Sequence, residues 1–156
     1  MSRKHSFVIT LSNNKTERAG IDFLISLNQG FFQVNREQKK QILSALNLDT
    51  RYSRTFDMVF VPNIAARNLT GKSIEVNLDE MIILELKTTQ KYLPDLPSGF
   101  FFGATENEFK LAKQLKDKFR FCFISLHKES LNHALLTLTE LEKIIKNRRI
   151  QYQINL

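Results

Sequence analysis

The chain has 156 residues, a net charge of +7 and a 42% hydrophobic share, which suits one domain with a real core and a basic surface favouring phosphate-rich or anionic partners. No run of about 18 apolar residues is present, and the basic start Met1-Ser2-Arg3-Lys4-His5 leads into a mixed segment, so neither a membrane span nor a secretory leader is expected. The single cysteine, Cys122, excludes an internal disulfide and reads as a buried, inert thiol of a reducing, cytoplasmic setting.

Along the chain, Phe7 to Leu11 is a short apolar run that could form an edge strand. Lys15 to Asn28 carries Ala19, Phe23 and Leu27 four apart, with Leu24 beside them, and predicts an amphipathic helix with Asn14 as N-cap and Gly30 as its stop. Arg36 to Leu46 predicts a second helix, with Ile42, Leu43 and Leu46 inward and Arg36, Lys39 and Lys40 outward. Thr55 to Val61 is β-rich and ends at Pro62-Asn63; Asn63 to Lys72 reads as a loop. Ser73 to Leu78 alternates, with Ile74, Val76 and Leu78 on one face, and Asp79-Glu80 turns it into Met81 to Thr88. That strand opens with Met81-Ile82-Ile83-Leu84, a pattern of burial on both faces. After a loop marked by Pro94, Pro97 and Gly99, Phe100-Phe101-Phe102 leads to Thr105-Glu106-Asn107-Glu108, a capping box opening a helix to about Lys116. Phe119 to Leu126 predicts another strand, Glu129 to Asn147 a long helix with Leu131, Leu135, Leu138, Leu141 and Ile145, and Ile150 to Leu156 a short β-like end. The order predicts one α/β domain: N-terminal helices over residues 1–50, a core over about 55–126, a C-terminal helix over 129–147, and a mixed central sheet flanked by helices.

The chemistry concentrates in Glu85-Leu86-Lys87, at the end of the most apolar strand. Alternation puts Glu85 and Lys87 on one side, and charges interrupting a buried strand must be solvated, paired or used. A carboxylate suits a hard divalent cation such as Mg²⁺. An amine two residues along can serve a metal-bound water or a phosphate. Asp57, isolated in Phe56-Asp57-Met58-Val59-Phe60, is the preferred second acid, and Glu75 in the intervening segment is the alternative.

An acid on one strand followed by Glu-x-Lys on a later one resembles the PD-(D/E)xK nucleases. The stretch that follows is similar to Mrr-type restriction endonucleases and their relatives: aromatic Phe100 to Phe102, the Thr105-Glu106-Asn107-Glu108 turn and the aromatic strand Phe119 to Phe123. The resemblance covers roughly Thr55 to Leu126, with Phe56 standing where those enzymes often carry proline. It implies a restriction-endonuclease-like fold and a Mg²⁺- or Mn²⁺-dependent DNA endonuclease, of restriction or defence type. Asp57 and Glu85 would then bind the ion and Lys87 would serve the attacking water. Glu17 on the first helix and Gln90 just past the lysine resemble supporting residues of some members.

Arg36, Lys39, Lys40, Arg51 and Arg54, and the later group Lys143, Lys146, Arg148 and Arg149, are candidate phosphate contacts. His5, His127 and His133 lack metal-ligand spacing, and neither a Gly-rich phosphate loop nor a serine or cysteine nucleophile motif is present. Three functions compete: a DNA endonuclease, a non-catalytic nucleic-acid-binding module on the same fold, and an assembly subunit. A chain of this size would need a partner, a second copy or a larger complex, to cut both DNA strands together.

Overall fold

The computed structural model describes residues 15–62 and 70–156; the expected Phe7 to Leu11 strand, the Asn14 cap and most of the loop after Pro62 lie outside them. Helix α1 spans residues 15–26. It is followed by strand β1 (Phe31–Gln33), helix α2 (Arg36–Ala45), a 3-10 turn (Thr50–Arg54) and strand β2 (Met58–Phe60). Helix α3 (Gly71–Asn77), strand β3 (Ile82–Thr89), helix α4 (Glu106–Leu115) and strand β4 (Phe119–Ser125) come next. Strand β5 (Asn132–Leu136) and helix α5 (Leu138–Ile144) close the described elements. Among the described residues no helix is long and apolar enough to cross a membrane.

The five strands form one mixed sheet in the order β1-β2-β3-β4-β5. β1, β2 and β3 pair antiparallel, β4 joins β3 in parallel, and β5 returns antiparallel to β4. Helix α4 makes the crossover that a parallel pair requires. Alternation along the strands sorts side chains to two faces. On one face Phe32, Val59, Ile83, Phe119, Phe121 and Phe123 pack against side chains of α2, α3, α4 and α5. On the other, Phe31, Met58, Leu84, Leu86, Cys122 and Ile124 meet Ile21 and Leu24 of α1. Gly20 lets α1 settle this closely: a Cβ there would stand 2.6 Å from Cγ2 of Thr88. Gly30 turns the chain from α1 into β1 at φ +107, and a Cβ there would fall on the Val61 carbonyl oxygen.

The mixed sheet flanked by helices is as expected, but two segments differ. Ser73 to Asn77 is helical, part of α3, with Leu78 as its C-cap and a reciprocal Thr70–Ser73 box at its start. Six residues alternating at i, i+2 and i+4 also contain an i, i+4 helical pair. Ile74 is fully buried, Leu78 packs against the same core, and Val76 is exposed. The strand that completes the antiparallel set with β2 and β3 is therefore β1, not this segment. The expected helix over 129–147 is instead β5 followed by α5. β4 is buried almost throughout, and its edge away from β3 needs a pairing strand; Asn132–Leu136 supplies it, with His133 facing Ile124. Thr137 then starts α5 with its own capping box to Glu140, a signal lying inside the supposed helix. Smaller differences are the shortening of Thr55 to Val61 to three strand residues and the absence of strand structure in Phe100–Phe102 and Ile150–Leu156. Of those three phenylalanines, Phe100 and Phe102 pack edge-on against Phe123, while Phe101 is exposed.

Candidate functional site

β3 carries its apolar run into the middle of the sheet and then presents Glu85 and Lys87 to the face that holds Ile83. Their register partners on β4 are Phe121 and Phe123, both fully buried. The charges thus stand against aromatic walls: Glu85 is 9% exposed and the Lys87 side chain 11%.

Asp57 reaches the same place from β2. Met58 faces Leu84 in the antiparallel ladder, so the position before Met58 lies opposite Glu85. Directly opposed residues carry Cβ atoms about 4.5–5.5 Å apart on one face. The Asp57 amide donates to the Leu84 carbonyl at 3.0 Å, and its Oδ2 accepts the Leu86 amide at 3.1 Å. The carboxylate replaces a backbone carbonyl where the ladder ends.

The Lys87 ammonium ties the cluster together, donating to Oε1 of Glu85 at 3.3 Å and to Oε1 of Glu108 at 2.8 Å. Glu108 comes from the first turn of α4 and is buried. Its Oε2 accepts the Thr105 amide while its own amide donates to the Thr105 hydroxyl. One carboxylate therefore closes the capping box and holds the lysine. A fourth acid, Glu17 on α1, lies near enough to Asp57 for the two carboxyl groups to interact.

Crowding beside the ammonium shifts the protonation of Glu85, Glu108 and Glu17. Burial, then the charge of Asp57 and a hydrogen bond with Glu108, raise Glu85 to about 11, against the opposing pull of Lys87. Glu108 moves the other way: burial opposes its ionisation, but the hydrogen bond from Glu85 and the charge of Lys87 outweigh it. Glu17 is raised to about 7 by burial and by Asp57, against Lys39 and Lys87. Burial acts against the charge on Lys87, but Glu85 and Glu108 overcome it and keep the ammonium form.

Of the residues singled out in the sequence, Asp57, Glu85, Lys87 and Glu17 come together. Gln90 is exposed, with Nε2 3.5 Å from the Thr16 hydroxyl next to Glu17. Glu75 is exposed on α3; it could rival Asp57 only if its segment were a strand paired with the Glu85 strand. Arg36, Lys39 and Arg54 line an open cleft with Ser53, Lys40 lies elsewhere on α2, and Arg51 is engaged by Asp49 and Tyr52. His133 packs edge-on against Phe23 and Phe31, and Cys122 is buried with its thiol pushed up by that burial.

Glu108 is the site member that sequence reasoning left out. The Thr-x-x-Glu box containing it was evident, but a capping glutamate explains itself locally, so nothing pointed to its second contact 21 residues back. Among the described residues no three acids are already drawn into a ligand set; the amine holds Glu85 and Glu108 in place. The donor set nevertheless suits a hard divalent cation: every donor is a carboxylate oxygen, and acids outnumber the one ammonium. No family model, curated protein or solved structure matches the chain.

Proposed function

We propose that this chain is a divalent-metal-dependent phosphodiesterase acting on DNA, of the PD-(D/E)xK type and restriction- or defence-like. The observation carrying this reading is the convergence of Asp57, Glu85 and Lys87 on one face of adjacent strands, with Glu108 closing the cluster. Asp57 and Glu85 would hold Mg²⁺ or Mn²⁺, with Glu108 and Glu17 as further carboxylates in reach. The bound ion would supply an activated water and neutralise charge on the phosphate. Lys87 holds a proton and a positive charge where the water or a non-bridging phosphate oxygen would lie. Phe121 and Phe123 keep water away from the strand side of the cluster, which strengthens each charge interaction there.

A second reading, a non-catalytic nucleic-acid-binding module, is favoured by one observation. Lys87 already satisfies Glu85 and Glu108, as a site kept only for its fold would do. Plasmid incubation with Mg²⁺ or Mn²⁺, alongside a gel shift in chelator, separates the two. Metal-dependent cutting supports the first; salt-sensitive binding without cutting supports the second. Neither binding nor cutting removes both and leaves an assembly role.

A further inference from the structure

Arg36 and Lys39 are three residues apart on α2 and share a helix face. Arg54, with Ser53 before it, ends the 3-10 turn facing them. All four line one open cleft in which no acid takes part. Among the described residues, the ion pairs are Arg18–Asp22, Arg51–Asp49, Lys87 with Glu85 and Glu108, and Lys110–Glu106. None of the three cleft cations is in one. Three cations gathered in a cleft that no acid lines repel each other, and an anion entering between them relieves that repulsion. Planar guanidinium forks and a hydroxyl match the non-bridging oxygens of a phosphodiester.

The position of the cleft is what gives it meaning. Ser53 and Arg54 precede Asp57 by only a few residues. The Lys39 ammonium stands 5.7 Å from the ring centroid of Phe56, the immediate neighbour of Asp57, and its charge is felt at Glu17. The cleft therefore opens beside the carboxylate cluster, on the side of Phe56 and Asp57.

We infer that Arg36, Lys39, Ser53 and Arg54 form a subsite for a backbone phosphate of the substrate strand, adjacent to the phosphate being cut. This rests on reading the carboxylate cluster as a phosphodiesterase site. The cleft positions the strand and is indifferent to base sequence.

The test compares wild type, Arg36→Ala/Arg54→Ala and a control, Lys40→Ala/Arg51→Ala, which removes two cations from outside the cleft. Binding of a labelled DNA duplex is followed by anisotropy in chelator across a salt series. Hydrolysis with Mn²⁺ is followed on an oligonucleotide and on bis(p-nitrophenyl) phosphate, which has no flanking phosphate. In the cleft variant, duplex affinity should fall about tenfold or more and the salt slope by about 1 per lost contact. Its oligonucleotide KM should rise while hydrolysis of the small diester is unchanged. The control should follow wild type. A folded cleft variant that binds duplex like wild type, or a control that loses as much, overturns the subsite. If wild type hydrolyses neither substrate, the phosphodiesterase reading fails, and the binding series alone still decides whether the cleft takes phosphate.

Discussion

Along β3, successive side chains enter two environments built on opposite rules. Leu84 and Leu86 turn toward Ile21 and Leu24 of α1, in a contact made only of apolar groups. Glu85 and Lys87, one residue out of phase, turn into a face walled by phenylalanine and meet Asp57 and Glu108. Both environments are nearly dry. On the first face dryness is a gain, about 25 cal/mol for each Å² of apolar surface removed from water. On the second it is a cost, visible in a glutamate raised to about 11. The difference teaches that one strand divides two tasks between its faces. Leu84 and Leu86 add to stability, whereas Glu85 and Lys87 cost part of it to hold reactive groups in place.

The comparison can be broken first on the charged side. Lys87→Ala should lower metal-dependent DNA cleavage by about 10²–10³-fold or more while circular dichroism and duplex binding stay near wild type. Wild-type cleavage rates in this variant would remove Lys87 from the mechanism. On the apolar side, Leu84→Ala should reduce unfolding free energy by about 2–5 kcal/mol. Denaturant titration would read this, and at this chain length each kcal/mol is worth about 2–4 °C in Tm.

Glu85→Gln sharpens the contrast. In chelator it should raise Tm at pH 8 although it abolishes cleavage, because it removes an acid that resists ionisation where it stands. The sign follows from the raised value. Between 4.5 and about 11 the native protein keeps a proton that the unfolded chain releases, so stability falls as pH rises through this window. Melting curves from pH 6 to 9 should slope downward in wild type and flatten in Glu85→Gln. A parallel slope in the two proteins would place the titrating group elsewhere. Glu108 has the opposite sign: its carboxyl is held below the usual range, so its contribution is present at neutral pH and is lost on acidification. The smallest effect is expected at Gly20→Ala. The gain in helix propensity, about 1 kcal/mol, is opposed by overpacking of about 1–3 kcal/mol against Thr88. Tm should therefore drop by only a few degrees.

Much of this was legible in the residues. Glu85 and Lys87 stood out because charge interrupts a strand otherwise written for burial, and a period of two fixes that they share a side. Asp57 stood out for the same reason, yet its adjacency to Glu85 needed the sheet order. That order was misread at Ser73 to Leu78, where a short alternation served a helix equally well. The end of the chain was misread because Leu131, Leu135 and Leu138 fit a helical stripe, while the demand that made Asn132–Leu136 a strand came from the unpaired edge of β4, a tertiary cause absent from local pattern. Thr137-x-x-Glu140 repeats the form of Thr105-x-x-Glu108 and was the local clue. Glu108 stayed out of view because its cap and its bond to Lys87 use different oxygens of one group.

The hydrogen bond from the Leu86 amide to Oδ2 of Asp57 makes the site observable without any substrate. This amide lies in the central strand but ends on a side chain whose electron density any arriving cation would draw away. In a nitrogen-15 spectrum its resonance should be a sensor of site occupancy, moving on titration with Mg²⁺ while the amides of Ile21 and Leu24 in α1 stay still. The same proton should exchange with deuterium at a rate set by how firmly that carboxylate is held.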